Sequence, residues 1–167
     1  MYEYHLSLPF DRHLTDLIKP RDKIYLSGFI YTARDKAHQR LIDIIDKGEP
    51  LPFDLSDTAI FYCGPSPTPP GKICGVIGPT TSARMDKYTI PLLEKGLKVM
   101  IGKGERSREV QNSIHEHGAL YLICVGGAAA LLSKCIVSCE TFLWAELGTE
   151  AVYRMQVLDL PCYVAIV

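Results

Sequence analysis

Two short runs carry most of the residue types that could do chemistry: Gly78-Pro79-Thr80-Thr81-Ser82-Ala83-Arg84-Met85-Asp86 and, further on, Gly102-Lys103-Gly104-Glu105-Arg106-Ser107. Each reads as a short apolar strand breaking into glycine, hydroxyl and basic residues, then into a helix. Glycine lets the backbone turn sharply or approach a ligand closely. Helix starts supply unsatisfied N–H donors, and Arg84 and Lys103 add fixed positive charge. The combination is a receptor for a small anion. A third corner, Arg34-Asp35-Lys36-Ala37-His38, opens a helix directly after a strand, and the spacing puts Arg34 and His38 on one face. Arg34, Arg84 and Lys103 with the Thr80 hydroxyl fit a substrate bearing two carboxylates. Arginine clamps a carboxylate bidentately and lysine adds a point charge.

Thr80 and Arg84 share a face if a helix begins at Thr80. A threonine hydroxyl is a poor base alone, but nearby positive charge favours its alkoxide. Plainer roles stand beside these. Thr80 or Thr81 would cap a helix with Arg84 solvated, Lys103 would sit in a surface turn, and Asp35 would simply favour a helix dipole. Established phosphate and nucleophile motifs are missing. Lys103 lies between Gly102 and Gly104, which breaks G-x-x-x-x-G-K-[ST], and neither G-x-G-x-x-G nor G-x-S-x-G occurs. His5, His13, His115 and His117 show no obvious acidic or thiol partner, and His115 and His117 cannot share a helix face. What the set lacks is an electrophile to activate a hydroxyl leaving group.

The chain has 167 residues, a formal net charge of −1 and 47% hydrophobic residues. This predicts one domain over residues 1–167 with a real core. Near-neutral charge argues against a nucleic-acid binder that relies on bulk charge, and no apolar run reaches a membrane span. Residues 1–13 lack the features of a secretory signal, so a cytoplasmic protein is expected. Cys63, Cys74, Cys124, Cys135, Cys139 and Cys162 form no C-x-x-C pair and mostly sit among Val, Ile and Leu. They read as buried reduced thiols rather than metal ligands.

These residues must be positioned by the elements around them. Periodicity and breakers predict strands over 2–8, 23–32, 58–63, 73–77, 98–101 and 119–125. Helices are expected over 11–19 (a short turn), 33–47, 81–88, 107–115 and 128–133, the last opened by Gly126-Gly127. Pro91 should kink or restart its helix with Thr89 as cap, and Ser107 should cap the helix that follows. Residues 64–71 form a rigid proline-rich loop. The tail reads as short strands over 136–137, 141–145, 151–157 and 162–167, with a turn over 157–161. The class is α/β, with parallel strand–loop–helix units in the middle and a mixed sheet.

The motif G-P-T-T-x-x-R-M-D at residues 78–86, with Gly102-Lys103-Gly104 after it and Arg34-Asp35-Lys36-Ala37-His38 before it, resembles the class I fumarase and L-tartrate dehydratase family. The likeness is to its C-terminal domain, which two-subunit members carry as a separate β subunit. It extends to Gly126-Gly127-Ala128-Ala129-Ala130 and to Glu146-Leu147-Gly148-Thr149-Glu150-Ala151, covering nearly the whole chain. The resemblance implies a swivelling β/β/α fold and an iron–sulfur hydro-lyase that hydrates fumarate or dehydrates a 2-hydroxy diacid. It implies Thr80 as the base that takes a proton from carbon, and Arg34, Arg84 and Lys103 as carboxylate ligands. The [4Fe-4S] cluster, which supplies the missing Lewis acid, would belong to a partner α subunit and not to this chain. The chain is then expected to be a complete β subunit, inactive alone and working as a hetero-oligomer, with pairing through β subunits as a further contact. Fumarate hydratase is the leading reading. L-tartrate dehydratase, or another 2-hydroxy diacid dehydratase, is the alternative with the same chemistry, and a non-catalytic anion-binding module is the alternative of a different class.

Overall fold

The computed structural model describes residues 1–124 and 129–167. In chain order the elements are β1 (Glu3–Ser7), α1 (Arg12–Thr15), β2 (Lys23–Thr32), α2 (Asp35–Asp46), β3 (Ala59–Phe61), a 3-10 turn (Ser82–Met85) and α3 (Asp86–Glu94). There follow β4 (Val99–Gly102), α4 (Arg108–Glu116), β5 (Leu120–Cys124), α5 (Ala129–Lys134), β6 (Ile136–Leu143), a second 3-10 segment (Ala145–Glu150) and β7 (Val152–Ile166).

β2, β3, β4 and β5 pair in parallel in that order, β5 pairs antiparallel with β7, and β7 returns antiparallel to β2. The five strands therefore close a ring. β1 adds in parallel along β2, and β6 adds antiparallel along β7.

Strand alternation explains two cores. Ala59 and Phe61, Val99 and Ile101, and Leu120, Leu122 and Cys124 point into the ring, where they meet Ile24, Leu26 and Ile30 of β2 and Met155, Val157, Cys162 and Val164 of β7. The intervening Ile60, Met100 and Tyr121 face outward against α2, α3 and α4 through Ala37, Leu41, Leu92, Leu93, Val110 and Ile114. The result is a β/β/α layering: a mixed sheet with flanking helices, as expected. Helix α2 owes its place to Ala37 and Leu41, four apart on one face and fully buried. Ser107 caps α4 by accepting the Val110 N–H at 3.2 Å. Gly48 and Gly118 follow their helices with positive φ, where glycine is favoured. No helix among the described residues is long and apolar enough to cross a membrane.

Several expectations are corrected. Residues 73–77 form no strand. They run as an irregular segment whose ends are tied by the Ser66 N–H donating to the Val76 carbonyl at 3.0 Å. No helix begins at Thr80 or Thr81. The chain stays extended to Thr81, makes the 3-10 turn, and enters α3 only at Asp86. Pro91 lies inside α3, whose buried Leu92 and Leu93 offset the lost hydrogen bond. Thr89 does not cap; its hydroxyl donates to the Met85 carbonyl at 2.8 Å. The tail is two strands rather than four. The turn expected over 157–161 is a bulge within β7, where Asp159 takes φ 52° and one extra β7 residue sits opposite Leu26–Gly28 of β2. That extra residue keeps Val157 and Leu160 on the same inner face. The Gly126-Gly127 opening of the helix predicted over 128–133 lies outside the described residues, and α5 is described from Ala129.

Candidate functional site

The carboxyl ends of the parallel neighbours β2, β3 and β4 collect every predicted site residue. Arg34 follows β2 and stands at the start of α2, where the preceding Ala33 N–H donates to the Phe61 carbonyl at 3.0 Å. Thr80 lies beside the end of β3. Its N–H donates to the Tyr62 carbonyl at 2.7 Å and its hydroxyl donates to the same oxygen at 3.2 Å. Lys103 follows β4 and forms a parallel bridge with Thr81. The Ser82 N–H donates to the Lys103 carbonyl at 3.0 Å, and the Lys103 N–H donates to Ser82 Oγ at 3.1 Å. Arg84 projects from the 3-10 turn toward α2, its Nη2 3.4 Å from Asp35 Oδ2. In both closed and open parallel α/β folds, ligands bind at this end of the strands.

Close backbone approach makes the corner possible. A Cβ on Gly102 would come within 2.0 Å of Ser82 Oγ, and one on Gly64 within 2.7 Å of both Arg34 Cδ and the Thr149 carbonyl. Any side chain at Gly64 would displace Arg34. The Arg34 Nε is itself buried without a hydrogen-bond partner. Arg84 is 51% exposed, so its pair with Asp35 is weakly held. Thr80 and Thr81 do not cap a helix, and the shared helix face of Thr80 and Arg84 does not exist. Backbone bridges, not helical spacing, bring these residues to one end of the sheet.

Sequence reasoning missed the frame behind the site. Arg106 is fully buried as a side chain and donates to Asp86 Oδ1 from Nε at 2.6 Å. Its other nitrogens donate to the Thr89 hydroxyl at 2.6 Å and the Tyr62 hydroxyl at 3.2 Å. Its guanidinium lies 5.2 Å from the Tyr62 ring centroid and 4.9 Å from that of Tyr121. Burial works against its charge, but Tyr62 and Asp86 outweigh that and raise its pKa. The second Asp86 oxygen accepts the Ser107 N–H at 2.7 Å, so one carboxylate ties α3 to the start of α4. The Tyr121 hydroxyl donates to the Gly104 carbonyl and shares a hydrogen bond with Ser82 Oγ, each at 2.8 Å. The backbone on both sides of Lys103 is thereby fixed. An arginine between Glu105 and Ser107 carries no mark of burial in sequence; its contacts with α3, Tyr62 and Tyr121 reveal it.

The segment 146–151 also finds a role. Glu146 pairs with Arg40 at 2.5 Å, and Glu150 Oε1 accepts the Lys36 N–H at 3.3 Å, placing a carboxylate at the start of α2. His38 is buried, and its Nδ1–H donates to the Arg34 carbonyl at 2.8 Å while Nε2 has no partner. Burial pushes its pKa down to about 4, against the opposing effect of that bond. His5, expected to lack an acidic partner, has one: Nδ1 lies 3.0 Å from Asp159 Oδ1, on the exposed bulge of β7.

The six cysteines are free thiols. Among the described residues no three His, Cys, Asp or Glu side chains are placed to hold a metal ion. Cys124 and Cys162 face each other inside the ring at 3.8 Å, whereas Cys74 meets Cys139 outside it.

The anaerobic class I fumarate hydratase of Escherichia coli (strain K12) is 40% identical over 147 residues, covering 86% of this chain and 27% of that protein. Fumarate hydratase 2 of Leishmania major is 37% identical over 180 residues, covering 98% of this chain and 31% of that protein. The chain thus spans under a third of the length of these two fumarate hydratases. The L(+)-tartrate dehydratase subunit beta of Escherichia coli (strain K12) is 35% identical over 134 residues, covering 78% of this chain and 65% of that subunit. Residues 6–167 match the family model described as Fumarase C-terminus, and the chain belongs to that family.

Proposed function

We propose that this chain is the β-type half of a cytoplasmic hydro-lyase for small dicarboxylates, catalysing the reversible hydration of fumarate to malate with a partner α subunit. The observation that carries the reading is the gathering of Arg34, Thr80, Arg84 and Lys103 at the ends of β2, β3 and β4. In this reading Arg34 and Arg84 take the substrate carboxylates and Lys103 adds charge beside them. Arg84 exchanges its exposed Asp35 partner for a substrate oxygen at little cost. Thr80 rests as a hydroxyl, the state required for hydration, in which it gives its proton to the substrate carbon. In the reverse direction its alkoxide, favoured by the surrounding cations, takes that proton back.

Departure of a hydroxyl calls for a Lewis acid, which a [4Fe-4S] cluster would supply. The cluster belongs, in this proposal, to the α subunit, and no step above runs through it. A second reading, the β half of an L-tartrate dehydratase, rests on the 35% identity to a tartrate dehydratase β subunit, beside 40% to a fumarate hydratase. Anaerobic co-purification with a cluster-bearing α partner, followed by assay on fumarate and tartrate, tests both. Turnover should require both chains, and the ratio of kcat/KM values assigns the substrate. Submicromolar dicarboxylate binding by the isolated chain, with no turnover in the complex, would instead favour a binding module.

A further inference from the structure

Cys74 and Cys139 lie 65 residues apart in sequence, yet their Sγ atoms stand 3.3 Å apart. Both are free and only half-buried. Cys139 lies on β6, the strand that ends the sheet beyond β7. Cys74 lies in the loop that carries the chain from β3 to Pro79 and Thr80. That loop is closed on itself: the Ser66 N–H donates to the Val76 carbonyl at 3.0 Å, and the Val76 N–H donates to Ser66 Oγ at 2.7 Å. Gly75 packs so tightly on Ser66 that a Cβ would come within 1.9 Å of the Ser66 carbonyl oxygen. Ile73 and Val76 point to solvent, 56% and 62% exposed, while Cys74 turns back onto β6. A cleft of about 530 Å³, lined by Pro69, Ile73, Cys74, Val76 and Lys134, opens on Cys74 and admits a small oxidant.

The two thiols are not equivalent. The hydrogen bond they share holds Cys74 below the ordinary thiol range, against the effect of burial, and pushes Cys139 up. Cys74 lines the cleft and is the thiol an incoming oxidant meets first, and Cys139, 3.3 Å behind it, is placed to resolve. The remaining four thiols differ, and Cys135, though half-buried, is pushed up by burial and has backbone carbonyls as its partners. Cys124 and Cys162 are sealed inside the ring, and burial pushes Cys63 up to about 12.

We propose that Cys74 and Cys139 are a peroxide-reactive pair that closes to a disulfide and pins the 64–78 loop to β6. The Cys74 thiolate attacks the peroxide O–O bond. Its sulfur gains one oxygen as a sulfenic acid, and the other oxygen leaves as water after taking a proton. The Cys139 thiol then attacks that sulfur, the S–S bond forms, the S–O bond breaks and a second water leaves. Two electrons pass from the thiol pair to each peroxide, and a dithiol reductant reverses the change. The loop feeds the Thr80 corner, so an effect on turnover would rest on the function proposed above; the thiol chemistry does not.

The test uses the full chain, stoichiometric hydrogen peroxide, alkylation and mass spectrometry. The expected product has lost two hydrogens, joins the Cys74 and Cys139 peptides, returns to start with dithiothreitol, and shows slowed hydrogen exchange in the 64–78 loop. Cys139→Ser should stop at a dimedone-trappable sulfenic acid on Cys74, and Cys74→Ser should resist oxidation at Cys139. The proposal is overturned if all six thiols still alkylate after peroxide. It is equally overturned if the first disulfide joins Cys124 to Cys162, or if Cys74 proceeds to a sulfinic acid without cross-linking.

Discussion

Replacing Arg106 with methionine is the sharpest test of how the site is held. The side chain keeps its bulk but loses the donors to Asp86, Thr89 and Tyr62, at 2.6, 2.6 and 3.2 Å. Asp86 keeps the Ser107 N–H and has 16% of its side chain exposed. Removing one partner of a buried ion pair costs about 3–5 kcal/mol, and the partial exposure of Asp86 points to the low end, roughly 3 kcal/mol. At about 2–4 °C per kcal/mol for a chain of this size, Tm should fall by roughly 6–12 °C. Urea unfolding followed by circular dichroism gives the same quantity independently. The double variant Arg106→Met, Asp86→Leu should recover part of the loss, because no carboxylate is then stranded. The coupling between the two positions should be about 1–3 kcal/mol. A loss under about 1 kcal/mol for Arg106→Met, or strictly additive effects, would refute the view that this pair frames the site.

Two further outcomes are expected. His38 is neutral in the fold with its pKa pushed down to about 4, so between that value and about 6.5 the unfolded chain binds the extra proton. Stability contributed by neutral His38 is present above about pH 6.5 and lost as pH falls toward 4, by about 3 kcal/mol. His38→Gln should flatten that part of the stability–pH curve, measured by urea titration from pH 4 to 7. Gly64→Ala forces Arg34 aside, because the new Cβ meets its Cδ and the Thr149 carbonyl at 2.7 Å. KM for the dicarboxylate in the assembled enzyme should rise about tenfold or more, matching the loss of a charged hydrogen bond worth roughly 1.5–3 kcal/mol; an unchanged KM removes Arg34 from the site.

The layout was legible where a local rule governs it. Alternation in residues 23–32, the helical spacing of Ala37 and Leu41, the Ser107 cap and the glycines after α2 and α4 all act within a few residues. The four site residues were visible as cations and a hydroxyl at predicted corners. What failed depends on distant neighbours. Residues 73–77 are apolar enough for a strand, but the Gly75–Ser66 contact keeps them out of the sheet. The Leu158-Asp159-Leu160-Pro161 run looks like a turn, yet β2 holds it as a bulge. Pro161 is tolerated there because β7 has left β6 after Val157 and does not meet β5 until Cys162. A threonine before a basic, apolar run resembles a helix cap, but the bridges that flank Thr80, Pro79 to Cys63 and Thr81 to Lys103, join residues far apart in sequence. Arg106 and the Cys74–Cys139 contact were invisible for the same reason.

The most direct measurement of the central claim is turnover by the Thr80→Ala complex. The variant should co-purify with the α partner in the wild-type ratio by size-exclusion chromatography and keep the dicarboxylate affinity of the intact complex. Its fumarate hydration should fall by at least about a hundredfold, the scale of a lost proton-transfer group. A Thr80→Ala complex that assembles and hydrates fumarate at the wild-type rate would contradict the assignment of this corner as half of an active site.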